Sequence, residues 1–325
     1  MRIGIDIMGG DYAPQKTVLG AIEAAKELGP DDKLVLIGDE TSIITICNEN
    51  GADPSGFEIV HAPDVITMSD HPTKSFASKG HSSIVTGFKL LASKQIDSFA
   101  SAGNTGAMMV GSMMVCKTIP GIIRPAISSI LPKEDGGVGV ILDVGINADC
   151  KPDVLQQFAV LGSIFAEHVY HISKPKVALM SIGEEPEKGN LVTKEAHQLL
   201  KGTKGINFVG NVEGRDLFNE KADVIVCDGF TGNVILKEAE SIYYLMRKRN
   251  IRDPYFDRYD YENYGGTPVL GINSSVIIAH GISSAKAIKN MILLSKEVVE
   301  ARLPDRISTA LNHAMIGDEQ IQNDK

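Results

Sequence analysis

The chain is predicted to fold as an α/β protein, three layers α/β/α built on a mostly parallel mixed sheet. Short apolar runs of strand length alternate with longer stretches of helical periodicity. Most turns between them are short and rich in Gly, Asn and Asp. One pair of apolar runs, 126–131 and 138–143, is joined by PKEDGG, a hairpin signal that brings an antiparallel pair into the sheet.

Taken in order, residues 2–8 read as a buried strand ended by Gly9-Gly10-Asp11. Pro14 then opens a helix with Val18, Ala21, Ile22, Ala25 and Leu28 at helical spacing. Residues 33–37 are strand two, 42–50 a helix stopped by Gly51, and 57–62 strand three. Residues 68–83 carry His71, Lys74, Lys79 and His81, and read as a polar loop leading into a helix over 83–92. The strand 99–102 breaks at Gly103-Asn104-Thr105-Gly106 and resumes as a Met-rich helix over 107–115. Beyond the hairpin, the turn 143–152 feeds a helix over 153–168. Strands are expected at 176–182, 207–209 and 223–227, a helix at 193–200, and a long helix from near Asn233 towards Asn250. An arm at about 241–264 mixes Arg247, Lys248, Arg249, Arg252 and Arg258 with Tyr255, Phe256, Tyr259, Tyr261 and Tyr264. Strands over 269–272 and 276–279, helices over 283–301 and 306–315, and a polar tail from Asp318 complete the chain. The 325 residues are read as one domain, 1–325, carrying that arm.

Composition excludes several classes. With 43% hydrophobic and 22% charged residues the chain can bury a sizeable core. A net charge of -9 argues against general nucleic-acid binding, which needs basic surface to displace counterions. Cys47, Cys116, Cys150 and Cys227 are scattered without a C-x-x-C pair, so they read as buried reduced thiols rather than zinc ligands or disulfides. No signal peptide and no apolar run of membrane-spanning length is visible, and a cytoplasmic protein is expected.

The polar residues gather after strands. Gly103–Gly106, 145–149, 183–190, 210–216, 228–233 and His280-Gly281 each follow a strand, and all are expected on one rim, where α/β folds bind ligands. Five of these six loops contain Asn, whose amide donates and accepts. Amides, Asn and Thr suit a phosphate or a carbonyl oxygen gaining charge. Lys188 reads equally as a phosphate ligand or a solvated loop lysine. His280 reads equally as an acid–base group or a core histidine. His168-x-x-His171 ends a helix and reads as surface, not metal. Cys227 reads as buried filler. The Met run 108–114 reads as core, with a second use if the site takes an acyl chain. No G-x-S-x-G elbow is present, so an acyl-serine mechanism lacks support.

In order along the chain, DIMGGDYAP (6–14), SAGNTGA (101–107), 124–126, 143–152, 157–162, IGEEPEKGN (182–190), NFVGNVEGRD (207–216), ADVIVCDGFTGNVILK (222–237), 264–271 and 280–283 together resemble the bacterial phosphate acyltransferases of glycerolipid synthesis (PlsX). The resemblance implies a fold like that of the isocitrate and isopropylmalate dehydrogenases and phosphotransacetylase. It implies a homodimer that converts acyl-acyl-carrier protein and inorganic phosphate into acyl phosphate and free carrier protein. The product would pass to a membrane glycerol-3-phosphate acyltransferase; no metal or organic cofactor is expected. On this reading Lys188 offsets phosphate charge and His280 protonates the leaving thiolate. Gly103, Asn104, Thr105, Gly106, Asn147, Asn190, Asn211, Asp228, Thr231, Gly232 and Asn233 form the substrate-binding set. The chain departs from the family at Tyr12, commonly His, at Ala77, aligned with a common Arg, and at Cys150, commonly Ala. Its shorter arm reads as weak attachment to anionic lipid through 245–259, and equally as a contact with the carrier protein or the second subunit. The competing readings are an acyl-CoA-dependent phosphate acyltransferase, a decarboxylating dehydrogenase, for which no Arg or acidic cluster speaks, and a non-catalytic scaffold for lipid enzymes.

Overall fold

A computed structural model describes residues 1–311. The helix predicted over 306–315 is therefore seen only to 311, and the tail from Asp318 lies outside the described residues. In chain order the elements are β1 (Arg2–Asp6), α1 (Gln15–Ala25), β2 (Lys33–Gly38), α2 (Glu40–Glu49), β3 (Glu58–His61), α3 (Pro72–Ser78), α4 (Ser83–Ala92), β4 (Ser98–Ser101) and α5 (Thr105–Gly111). A π-helical turn, Ser112–Cys116, continues α5. Then come β5 (Ala126–Pro132), β6 (Val138–Leu142), α6 (Pro152–His168), β7 (Lys176–Met180), α7 (Leu191–Gly202), β8 (Asn207–Val212), β9 (Val224–Val226), α8 (Gly229–Lys248), β10 (Thr267–Leu270), β11 (Ser275–Ile278) and α9 (Ala285–Glu300). The α/β alternation and the β5–β6 hairpin are as expected.

The chain packs as two units. The first comprises Met1–Lys117 and Tyr261–Glu300. Its strands run in the order β3-β2-β1-β4-β11-β10, parallel except for the β10–β11 pair. Ile3, Ile5, Leu36, Ile37 and Phe99 are fully buried, as strands covered on both faces require. Helices close on this sheet, and on one another, through glycines. A Cβ on Gly87 of α4 would come within 2.1 Å of the Phe99 ring, and one on Gly20 of α1 within 2.5 Å of Ile288 in α9.

The second unit comprises Thr118–Asp260 and the chain from Ala301. Its strand order is β5-β6-β9-β7-β8, with only β5–β6 antiparallel. Ile141, Ala178 and Val212 are among its fully buried core residues. The helix α6 lies against β9 and β6, where Gly162 leaves room for Val224 and Leu142. The hairpin is tied down from two sides. Buried Lys133 pairs with Asp223 at 2.5 Å, and Arg258 donates to the carbonyls of Lys133 and Gly137. The arm is thus helix to Lys248, with only Gly229 and Gly232 of α8 buried, followed by a segment strapped onto the hairpin.

Four expectations are corrected. The polar stretch 68–83 contains a helix, α3, started by Pro72 after the extended His71. The Met-rich helix starts at Thr105, not Ala107, because Asn104 caps it. The helix α8 starts at Gly229, not Asn233, because Asp228 caps it by accepting from Thr231 N at 2.7 Å. The strand β8 runs on to Val212, because Gly210, at φ +102°, absorbs an irregularity in its pairing with β7. Asn211 is therefore a strand residue.

Candidate active site

In the first unit, four loops meet at the carboxyl ends of β1, β4 and β11. Asp6 closes β1 and is fully buried beneath them. Its carboxylate accepts from Ser101 Oγ at 2.6 Å and from Met8 N at 3.0 Å. Ser101 Oγ in turn accepts from Gly103 N at 2.9 Å. The direction of the chain follows: the Gly103 amide can only donate, so the Ser101 proton points to Asp6. Burial pushes the Asp6 carboxyl up, against the hydrogen bonds from Ser101, Ser83, Met8 and Gly9. Gly9 must be glycine, since a Cβ there would lie 2.3 Å from Asp6 Oδ2 and 2.7 Å from Gly103 N. The neighbouring Asp11 N donates to Gly281 O at 2.7 Å.

Asn104 is buried, and its amide is engaged in holding the loops. Its Oδ1 accepts from Ala107 N at 2.9 Å, and its Nδ2 donates to Thr67 O at 3.0 Å and Asp70 O at 3.1 Å. Gly106 lets α5 close on Pro72, whose Cγ would stand 2.3 Å from an added Cβ. The N–H groups of Thr105 and Gly106 have no hydrogen-bond partner among the described residues, as at any helix start. His280 is exposed rather than a core histidine, with the Tyr261 ring 5.2 Å away. Met108 is fully buried, whereas Met113 and Met114 are exposed.

The second unit repeats the device. Asp143 follows β6 and is buried, accepting from Asn147 N (2.6 Å), Val144 N (2.8 Å), Asn147 Nδ2 (2.9 Å), Ile127 N (3.2 Å) and Ile146 N (3.2 Å). Burial pushes its carboxyl up, and these donors resist. Asn147 also donates to Pro125 O at 2.8 Å, and its own carbonyl accepts from Gly229 N at 2.7 Å. The loop after β6 thus seats the first turn of α8. Gly232 N donates to Asp228 O at 3.0 Å, and Asn233 Nδ2 donates to Val144 O at 3.3 Å. Thr231, Gly232 and Asn233 are helical, not loop residues.

The loop after β7 is anchored through Asn211. Its Nδ2 donates to Glu185 O at 2.9 Å, so its Oδ1 faces His197 Nδ1 at 2.8 Å, which must carry a proton. Lys188 N donates to the same Glu185 carbonyl at 3.0 Å. Glu184 pairs with Lys221 at 2.8 Å, which holds the other flank. Lys188 itself is exposed, and its ammonium has no ion-pair partner among the described residues. Asn190 is exposed and caps α7 through Thr193 N at 2.8 Å. Exposed Arg124 donates to Asp149 O at 3.0 Å.

No thiol is poised to attack. Burial, with the charges of Asp143 and Asp228, pushes Cys150 up to about 12; burial lifts Cys116 to about 11 and holds Cys227 well above the ordinary thiol range. Such thiols stay protonated and inert. Among the described residues no group of His, Cys, Asp and Glu could hold a metal ion. His168 instead contacts Arg306 at 3.4 Å.

Comparison with known proteins decides the family. The family described as "Fatty acid synthesis protein" matches residues 1–306. A phosphate acyltransferase of Dictyoglomus turgidum is 43% identical over 96% of this chain and 98% of its own length. One from Desulforamulus reducens is 43% identical, with the same two coverages. The chain belongs to the phosphate acyltransferase (PlsX) family. Solved phosphotransacetylases from Streptococcus pyogenes (17% identical, TM-score 0.64, 92% of this chain and 94% of that one) and Staphylococcus aureus (16%, 0.63, 91% and 94%) share its fold. The match takes in both units, and with them both sets of strand-end loops. The motifs 6–14 and 143–152 begin with Asp6 and Asp143, but they did not announce that both carboxylates are buried and carry those loops. The signal was available: each Asp closes an apolar strand just before a glycine turn, where a cap or a solvated acid is the commoner reading.

Proposed function

We propose that this phosphate acyltransferase transfers an acyl group from acyl carrier protein to inorganic phosphate, giving acyl phosphate and the free carrier thiol. The likeness to phosphate acyltransferases at 43% identity over nearly the whole chain carries the proposal. Phosphate is then the nucleophile. One of its oxygens attacks the thioester carbon, the C–S bond breaks, and a proton reaches the leaving sulfur. The enzyme need only position a dianion and stabilise an oxyanion. Protonated thiols fit that scheme. The engaged amides of Asn104, Asn147 and Asn211 give these residues loop-holding roles. The unpartnered amides of Thr105 and Gly106 remain as donors. Lys188 is assigned the phosphate charge and His280 the proton for the thiolate.

The remaining partners follow the family reading: a second copy of the chain, and a membrane glycerol-3-phosphate acyltransferase that takes the product. No helix among the described residues is long and apolar enough to cross a membrane. Exposed Tyr244, Leu245, Lys248, Arg249 and Arg252 are the residues proposed to meet anionic lipid, since Arg258 is turned to the hairpin and Arg247 to Asp257.

The deciding assay offers phosphate with acyl-carrier protein or acyl-CoA and measures acyl phosphate. Faster turnover of the carrier-protein donor is expected. Turnover of acyl-CoA alone supports the CoA-dependent enzyme, and no product from either donor supports a scaffold. In the same assay Lys188→Ala is expected to raise the KM for phosphate about tenfold or more, the scale of one charge-assisted contact. Unchanged phosphate KM and single-turnover rate would remove Lys188 from the site.

A further inference from the structure

Three large apolar side chains stand exposed on the rim of the first unit: Tyr12, Met68 and Ile282, at 54%, 47% and 49% exposure. Single exposed apolar residues need no explanation. These three sit on loops pinned to one another. Asp11 N holds Gly281 O at 2.7 Å, so Tyr12 and Ile282 flank a fixed contact. A Cβ on Gly281 would lie 3.0 Å from Met68 Cε, so the Met68 thioether already lies on the Gly281 turn. Asn104 fixes the other end by donating to Thr67 O and Asp70 O, on either side of Met68. The Tyr261 hydroxyl donates to Ile282 O at 3.0 Å. The segment is also clamped from below, where Lys79 donates to Val65 O at 2.8 Å and Asp70 at 2.6 Å. Three exposed apolar side chains are therefore carried on loops held together beside the Gly103–Gly106 loop and His280.

We propose that Met68, Ile282 and Tyr12 contact the acyl chain of the substrate and set its preferred length. The inference rests on the phosphate acyltransferase reading, which requires an apolar chain to be held near the reacting thioester. Methionine suits that task because its unbranched thioether adapts to a flexible chain. Burying each methylene is worth about fourfold in binding, so loss of one contacting side chain is felt most by long chains.

The test compares kcat/KM for butanoyl- and hexadecanoyl-carrier protein in the wild type, Met68→Ala, Met68→Leu and Ile282→Ser. In the alanine and serine variants the long-to-short ratio is expected to fall about tenfold. Met68→Leu should restore most of it. Thermal unfolding of each variant separates a folding defect, which would lower both donors together. A ratio unchanged from the wild type, or equal loss with both donors in a folded variant, overturns the proposal; equal loss would mean that the patch meets the carrier protein itself. Failure of the wild type with every donor would instead overturn the functional reading.

Discussion

Asp143→Ala is expected to be inactive and to lower the stability of the protein by about 3 kcal/mol or more, a fall in Tm on the order of 5–10 °C. The carboxylate accepts from four backbone N–H groups and from the Asn147 amide. Removing it leaves those donors buried and unpaired, each costing about 1–3 kcal/mol, less than additively because the loop can relax. The damage should spread to α8, since Gly229 N rests on Asn147 O. Asp143→Asn separates charge from shape. It leaves no cavity, yet it sets an amide NH2 against N–H donors, so it should fall nearer to the alanine variant than to the wild type. Calorimetry and acyl phosphate formation on both variants check this. A stable, active Asp143→Asn would mean that the loop does not depend on the ionised group.

Gly232→Ala is the second large effect. An added Cβ would lie 2.0 Å from Asp143 O and 2.9 Å from Cys227 Sγ. The nearer atom is backbone, so no side-chain rotation relieves the overlap and the start of α8 must move. A loss of about 3 kcal/mol or more, with loss of activity, is expected. Gly202→Ala is the matched control. It ends α7 with nothing within 4 Å of its Cβ position. That change should be neutral or stabilise by up to about 1 kcal/mol. Equal effects of the two substitutions would show that helix propensity, and not the approach of α8 to the Asp143 loop, governs Gly232.

These effects mark where the sequence was readable. Alternation of strands and helices was plain because β1, β2 and β4 are buried along nearly their full length and each carries a short apolar centre, Ile3-Gly4-Ile5, Leu34–Ile37 and Phe99-Ala100. The PKEDGG hairpin was equally plain. Helix starts were harder. At Asn104 and Asp228 the cap lies inside a Gly/Thr-rich motif, so the first helical turns look like loop. The short α3 carries no apolar periodicity, and only Pro72 marks it. Asn211 looked like a loop residue because the strand bends at Gly210, a backbone event with no side-chain signature. The site divided similarly. The glycine and Asn positions stood out as motifs, but not which of their groups are occupied: that depends on contacts as distant in sequence as Asp6 with Ser101, or Asn211 with Glu185. The buried carboxylates are a tertiary property, since Asp6 and Asp143 become unusual only when a neighbouring loop covers them.

In the proposed reaction phosphate, and no side chain of the enzyme, attacks the acyl carbon. The most direct measurement supplies isotopically labelled inorganic phosphate with acyl-carrier protein, quenches within one turnover, and weighs both product and protein. Acyl phosphate carrying the label, with the protein at its unmodified mass throughout, is the predicted result. A protein that gains the mass of the acyl group before product appears would contradict it.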